Sequence, residues 1–255
     1  MNKLKAFNSL HESGGILLLG NAWDLFSALS LVNAGFKAIG TTSWGIAKSL
    51  GYADGEMMDF DRQLSVIKTI VEHVQVPVTA DIESGYGKDD ETIVGNVLKL
   101  ADLGVAGINI EDSYKHQEGL KPWSHQCELL TKMRTELEKN GYKDFYINAR
   151  TDTYLQNKDP LQETITRAKA YVESGASGIF VPGLKDDAEI KMIVSETAAP
   201  LNVMSMPGLT SCKKLKELGV RRLSLGGALY RKLNTLLENC AAHIYESQDT
   251  SVLFE

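Results

Sequence analysis

Eight short runs rich in Ile, Val, Leu or Phe, alternating with stretches of helical period, recur through 255 residues, and no linker or shift in composition marks a second unit. That rhythm predicts an α/β fold of the (β/α)8 TIM-barrel type, a single barrel domain over residues 1–255 with a helical extension at its C-terminus. A doubly wound sheet ordinarily uses about five or six strands, so the count favours the closed barrel.

The strand candidates, in order, are ILLLGNAW (16–23), KAIGTTSW (37–44), VPVTADIE (76–83), AGINIED (106–112), FYINARTD (145–152), SGIFVPG (177–183), PLNVMS (200–205) and RRLSLGG (221–227). Between them, Leu64, Ile67, Val71 and Val74 repeat at spacings of 3, 4 and 3, and Leu161, Ile165, Ala168 and Val172 at 4, 3 and 4, which is one face of a helix. Asp159 and Pro160 read as the N-cap and first residue of the second of these helices. Asp24 reads as the N-cap of the helix after strand 1, although with Asn21 and Trp23 it also stands where the barrel mouth would be shaped. Several helices stop at a glycine just before the next strand: Gly35, Gly104, Gly175 and Gly219. The tail reads as helix to about Tyr245.

Composition narrows the partners. A net charge of -6 with no basic stripe argues against nucleic acid, and there is no run of 18 or more apolar residues to span a membrane. The N-terminal stretch lacks the apolar core of a secretory signal, and Cys127, Cys212 and Cys240 are odd in number and far apart. The expectation is a cytoplasmic protein acting on a small molecule. His11, His73 and His243 read as surface helix residues.

Strand alternation gives the chemistry its place. In strand 3, Val78, Ala80 and Ile82 share one face and Thr79, Asp81 and Glu83 the other; in strand 4, Asn109 and Glu111 oppose the isoleucines; in strand 5, Asn148 and Arg150 oppose Ile147 and Ala149. If the apolar faces meet the helices, Asp81, Glu83 and Glu111 converge at the C-terminal mouth, where barrels of this type carry their active sites. Carboxylates so crowded raise one another's pKa unless a positive charge stands among them. Mg2+, with Mn2+ as its substitute, suits such an oxygen-rich site: Asp81 is the expected direct ligand, with Glu83 and Glu111 contributing directly or through water. The bland alternative is three strand-end acids paired with Arg150 or capping helices.

The segments TADIESGYG (79–87), NIED (109–112) and INARTD (147–152) together resemble the isocitrate lyase and phosphoenolpyruvate mutase superfamily, a resemblance running from about Gly20 to Arg231. It implies a (β/α)8 barrel, usually a homo-oligomer such as a dimer or tetramer, often with the C-terminal helix exchanged between subunits. It also implies Mg2+ holding the carboxylate and keto oxygens of a 2-oxo acid, with cleavage through a pyruvate-type enolate. By this resemblance Asp81, Glu83 and Glu111 fall on the metal-site acids, Glu111 and Arg150 serve catalysis, and Asp54 lies near the metal as a further catalytic residue. The turn Thr42, Ser43, Trp44 matches the loop that binds the substrate carboxylate, with Asp81, Arg150 and Asn202 completing the expected substrate contacts. Packing is the other reading of Trp44, a structural partnership with Asp152 or Asp112 that of Arg150, and layer filling that of Asn109, Asn148 and Asn202.

Departures from the family pattern matter as much. After strand 4 the lyases carry Lys-Arg-Cys-Gly-His and the phosphonopyruvate enzymes Lys-Thr-Asn, whereas this chain reads EDSYKHQEGLKPWSHQCELL, with Cys127 too far along to replace the lyase cysteine. What remains on the expected lid is Lys115, His116, Lys121 and His125. The leading expectation is a decarboxylase or lyase for a small 2-oxo or 2-hydroxy acid, since CO2 loss depends least on a lid acid. Alternatives are carbon–phosphorus chemistry, a sugar-phosphate barrel using Gly226 and Gly227, or a non-catalytic binding barrel.

Overall fold

The computed structural model describes residues 2–115 and 117–254. All eight expected strands form: β1 (Leu17–Ala22), β2 (Ile39–Thr41), β3 (Val78–Asp81), β4 (Gly107–Glu111), β5 (Tyr146–Arg150), β6 (Gly178–Phe180), β7 (Leu201–Met204) and β8 (Arg222–Ser224). Each pairs in parallel with its sequence neighbours and β8 returns to β1, closing the barrel. The helices are α1 (Lys3–Glu12), α2 (Leu25–Asn33), α3 (Ser43–Ser49), α4 (Phe60–His73), α5 (Asp90–Asp102), α6 (Trp123–Lys139), α7 (Thr153–Gln156), α8 (Leu161–Glu173), α9 (Asp187–Glu196), α10 (Cys212–Glu217) and α11 (Ala228–Ser247). The strands are shorter than the apolar runs that announce them. Glu83, Asp112 and Asp152 leave the ladder and build the mouth.

Ile108, Ile110, Ile147 and Ile179 point outward and pack with Val97, Leu100, Leu130, Met133 and Ile165 of the helix layer in one continuous cluster. Burying each such side chain contributes about 1.5–3 kcal/mol, so strand alternation is enforced by the shell of helices. Asp24 caps α2 as expected, accepting from the Ser27 amide at 2.7 Å in a reciprocal capping box. At α8 the expectation shifts by one residue. The first helical carbonyl is that of Pro160, which accepts from the Thr164 amide at 2.8 Å, so Pro160 stands at the N-cap and Asp159 lies outside the helix. Gly35, Gly104, Gly175 and Gly219 all take φ between 87 and 103°, the left-handed turn that ends these helices without a Cβ clash.

Inside the barrel the polar faces form a hydrogen-bonded layer. Asn148 Nδ2 donates to Asn109 Oδ1 at 2.9 Å and to Asn202 Oδ1 at 3.0 Å, and Arg222 Nη2 donates to Asn109 Oδ1 at 3.2 Å. Below that layer α1 closes the bottom: Phe7 packs with Leu17, Leu19, Ala38, Ala106 and Tyr146. His11, expected at the surface, is instead 2 % exposed, its ring stacked 4.2 Å from that of Tyr146. A plug helix needs an apolar inner face, and a neutral imidazole serves as part of it.

Candidate active site

Asp81 is the last residue of β3, and its backbone amide donates to Thr41 Oγ1 at 3.0 Å. Its Oδ2 accepts from the Ser43 amide at 3.2 Å and the Ser43 hydroxyl at 2.8 Å. The start of α3 therefore aims one carboxylate oxygen, while Oδ1 is buried without a partner. A buried acceptor left in that state costs roughly 1–3 kcal/mol, which singles Asp81 out as a candidate ligand.

Glu83 reaches the same mouth by a costly backbone. It has φ +50°, and Glu56 and Tyr86 beside it have φ +62° and +55°, conformations that non-glycine residues seldom adopt. Glu56 holds this turn by accepting from the Ser84 amide at 2.8 Å and the Tyr86 amide at 3.1 Å. Three such residues in contact at a strand end mark stored strain of the kind found at working sites. Tyr86 Oη donates to Glu83 Oε1 at 2.6 Å; burial and then the Glu83 charge push the Tyr86 phenol far above its ordinary value.

The positive charge expected among the acids is present, and the chain supplies it. Lys115 Nζ contacts both Glu83 Oε2, at 2.8 Å, and Glu111 Oε1. Burial alone would lower the Lys115 ammonium, but Glu111 and Glu83 raise it and keep it charged. Glu111 Oε2 also takes Arg150 Nη1 at 2.8 Å, and Arg150 is clamped by Asp152 at 2.6 and 3.0 Å. Burial pushes the Glu111 carboxyl upward while Arg150 and Lys115 oppose it. Asp112 does not meet Arg150's guanidinium; it is fully buried and accepts from Arg167 at 3.1 Å and Tyr171 at 2.7 Å.

A cavity of about 180 Å³ opens at this end of the barrel, lined in part by Thr42, Ser43, Trp44, Asp54, Asp81 and Arg150. Burial first, then the charge of Glu83, raises the Asp54 carboxyl. The structure thus brings together six of the sequence-predicted residues. Asn202 is not among the lining: its amide donates to Val203 O, Arg222 O and Ser224 Oγ within the barrel, below the mouth. Glu83 and Glu111 turn toward Lys115 rather than into the cavity, and no cluster of three His, Cys, Asp or Glu suited to a metal ion forms among the described residues. Of the lid residues, His125 is exposed and pairs with Asp90 at 3.3 Å on the outer face, Cys127 lies in α6, and His116 falls outside the described residues. Sequence reasoning missed Phe180, Met204, Ser224 and Arg231, which also line the cavity. Arg231 was within reach, since it sits one turn into a helix that begins at the mouth.

Comparison with known proteins gives the family. The family model described as phosphoenolpyruvate phosphomutase matches residues 7–245. An uncharacterized protein from Mycobacterium tuberculosis is 37% identical over 88% of this chain and 83% of its own length. An oxaloacetate decarboxylase from Pseudomonas fluorescens is 30% identical over 84% of this chain and 75% of its own, and the 2-methylisocitrate lyase of Escherichia coli 29% identical over 77% and 68%. A solved structure from Burkholderia cenocepacia, 34% identical, superposes with a TM-score of 0.90 over 95% of this chain and 100% of that one. The structure of oxaloacetate acetylhydrolase with its product oxalate shares the fold, with a TM-score of 0.88 at 20% identity over 98% of this chain and 89% of that one. The chain belongs to the phosphoenolpyruvate phosphomutase family, within the isocitrate lyase and phosphoenolpyruvate mutase superfamily of lyases and mutases.

Proposed function

We propose that the protein is a carbon–carbon lyase, of the carboxy-lyase or oxo-acid-lyase type, that cleaves a small 2-oxo or 2-hydroxy acid with Mg2+, or Mn2+ in its place. The observation that carries this reading is the buried, unpartnered Oδ1 of Asp81 in a cavity that Arg150 also lines. The donor set fits a hard cation bound by a single carboxylate, because Glu83 and Glu111 are committed to Lys115 and are left to act through water, a mode magnesium tolerates. When bound, the cation supplies Lewis-acid stabilisation of the negative charge that develops on the substrate.

The chain's own groups do the rest. Ser43 orients Asp81 through two donors. Arg150, fixed by Asp152 and Glu111, presents a preorganised donor to the developing oxyanion, a contribution of about 3 kcal/mol for one such group. Asp54, its carboxyl raised, is suited to hold a proton at the cavity wall. Thr42 and Trp44 line the carboxylate-binding side. Decarboxylation is favoured over cysteine-assisted cleavage because Cys127 belongs to α6 and is not among the cavity residues.

The test is a panel of oxaloacetate, 2-methylisocitrate, 2,3-dimethylmalate and phosphonopyruvate, read by pyruvate release with Mg2+ and with a chelator. Metal-dependent release from one of the first three is expected; full turnover in chelator defeats the reading, and release from phosphonopyruvate alone transfers it to carbon–phosphorus chemistry. We also infer a homo-oligomer, a dimer or tetramer: α11 runs for 20 residues with none buried and leaves Leu229, Leu233, Leu236 and Leu237 exposed, a face that a second copy would cover. Sedimentation velocity decides that point, and a monomer at micromolar concentration rejects it. A cytoplasmic setting accords with three cysteines that remain free thiols.

A further inference from the structure

We propose that Asn109 touches the substrate: the polar layer inside the barrel turns its carboxamide so that the NH2 group faces the cavity and donates to an oxygen of the bound acid. The inference rests on the function proposed above, because it takes the head group of that acid as the ligand.

The orientation follows from groups that can act in only one sense. Backbone carbonyls only accept, and Asn202 Nδ2 faces two of them, Val203 O at 2.8 Å and Arg222 O at 3.2 Å. Asn202 therefore turns its oxygen to Asn148, which donates to it from Nδ2 at 3.0 Å. The same nitrogen donates to Asn109 Oδ1 at 2.9 Å. A guanidinium, which only donates, reaches that oxygen from the bottom of the barrel: Arg222 Nη2 meets Asn109 Oδ1 at 3.2 Å. Arg222 is 1% exposed and lies over the Phe7 ring of α1, 6.0 Å from its centroid. A reversed Asn109 would set its NH2 group against two donors. Its oxygen is thus held within the layer, and Nδ2 is left on the other side.

That side is the cavity. Asn109 lines it and is the register partner of Asp81 across β3 and β4, so the two side chains project into the barrel side by side. Asn109 Nδ2 makes no hydrogen bond among the described residues. Three other neutral polar residues of the lining are already engaged: Asn21 with Thr41 O and the Leu225 and Gly226 amides, Ser43 with Asp81, and Ser224 with Asn202. Asn109 therefore offers a fixed N–H donor beside Asp81. Such a donor suits the 2-oxo or 2-hydroxy oxygen of the acid, the atom on which negative charge develops. The clamp on Oδ1 keeps the amide from turning away when the substrate arrives.

Asn109→Ser and Asn109→Leu in the full-length protein test this. Mn2+ titration followed by electron paramagnetic resonance reads the cation, and calorimetry on the Mg2+-loaded protein reads oxalate, which stands in for the head group. Both variants should hold Mn2+ within about threefold of the wild type and bind oxalate at least about tenfold more weakly. A cooperative thermal transition qualifies each variant, and one folded variant suffices. Arg222→Met should weaken oxalate by about threefold in the wild type and leave Asn109→Ser unchanged, since Arg222 is a positioning residue that acts through Asn109. Additive losses overturn the part given to Arg222. Wild-type oxalate affinity in the Asn109 variants would make Asn109 a filler of the layer, and a matching loss of Mn2+ affinity would move its amide to the cation; either result overturns the proposal while the head-group reading stands. If the wild type itself fails to bind oxalate, the head-group reading falls and takes this one with it.

Discussion

Lys115 Nζ stands 2.8 Å from Glu83 Oε2 and touches Glu111 as well, with 13% of its side chain exposed. The residues just before it are pinned to the mouth. Ser113 pairs with Leu120, the Ser113 hydroxyl donates to Asp152 at 2.6 Å, and Ser84 donates to the Ser113 carbonyl at 2.6 Å. Glu83 and Glu111 are therefore already neutralised in part by the chain itself. Any divalent cation drawing on Glu83 or Glu111 competes with an ammonium tethered four residues beyond Glu111.

Lys115→Met is accordingly expected to bind Mn2+ more tightly than the wild type, by about tenfold, since one charge of competition is removed. The same variant should be less stable in metal-free buffer by a few kcal/mol, because Glu83 is left buried with no cation and only the Tyr86 hydroxyl, and Glu111 keeps Arg150 alone. Mn2+ titration followed by electron paramagnetic resonance, with urea melts in chelator, measures both effects. Unchanged or weaker Mn2+ affinity would show that the lysine assists metal binding or is indifferent to it.

Asp81→Ala should lose Mn2+ binding in the same titration and reduce turnover by at least about 10²-fold while keeping a cooperative thermal transition. Its fold is protected because the Asp81 backbone, and not its side chain, bonds to Thr41. A variant that keeps wild-type Mn2+ affinity would move the metal away from β3.

Arg150→Lys should lower kcat by about 10²- to 10³-fold despite conserving charge. A lysine cannot span the two Asp152 oxygens, at 2.6 and 3.0 Å, and at the same time meet Glu111. Steady-state kinetics on whichever panel substrate is active reads the loss. A change confined to KM would mean that Arg150 binds the substrate equally in ground and transition states.

The barrel and the convergence of Asp81, Glu83 and Glu111 were legible because period-2 alternation is a local property of each strand. Which acid keeps a free oxygen was not. Asp81 and Glu83 share a strand face in the sequence, but Glu83 lies past the ladder at φ +50° and binds Tyr86 and Lys115, contacts set by loops rather than by alternation. Asn202 has the inward register of a site residue, yet its depth in the barrel commits its amide to Ser224 and the backbone. Arg231 escaped because its neighbour Trp44 is more than a hundred residues away in the chain.

The bottom of the barrel should make the protein acid-sensitive through one residue. His11 is buried between Phe7 and Tyr146, and burial, then the nearby Arg222 charge, lowers its pKa from 6.5 to about 3. Its folded-state pKa is depressed, so the unfolded chain takes up the proton first as pH falls. The contribution of a neutral His11 is complete above pH 6.5 and erodes between there and about pH 3. The slope is about 1.4 kcal/mol per pH unit, or about 1.4 kcal/mol by pH 5.5. His11→Leu cannot titrate, so its urea-derived stability should fall less than that of the wild type between pH 7.5 and 5.5 by about that amount, whatever its absolute stability. The comparison within each protein removes the packing change introduced by leucine. Parallel pH profiles would mean that His11 titrates normally and that the plug helix opens without global unfolding.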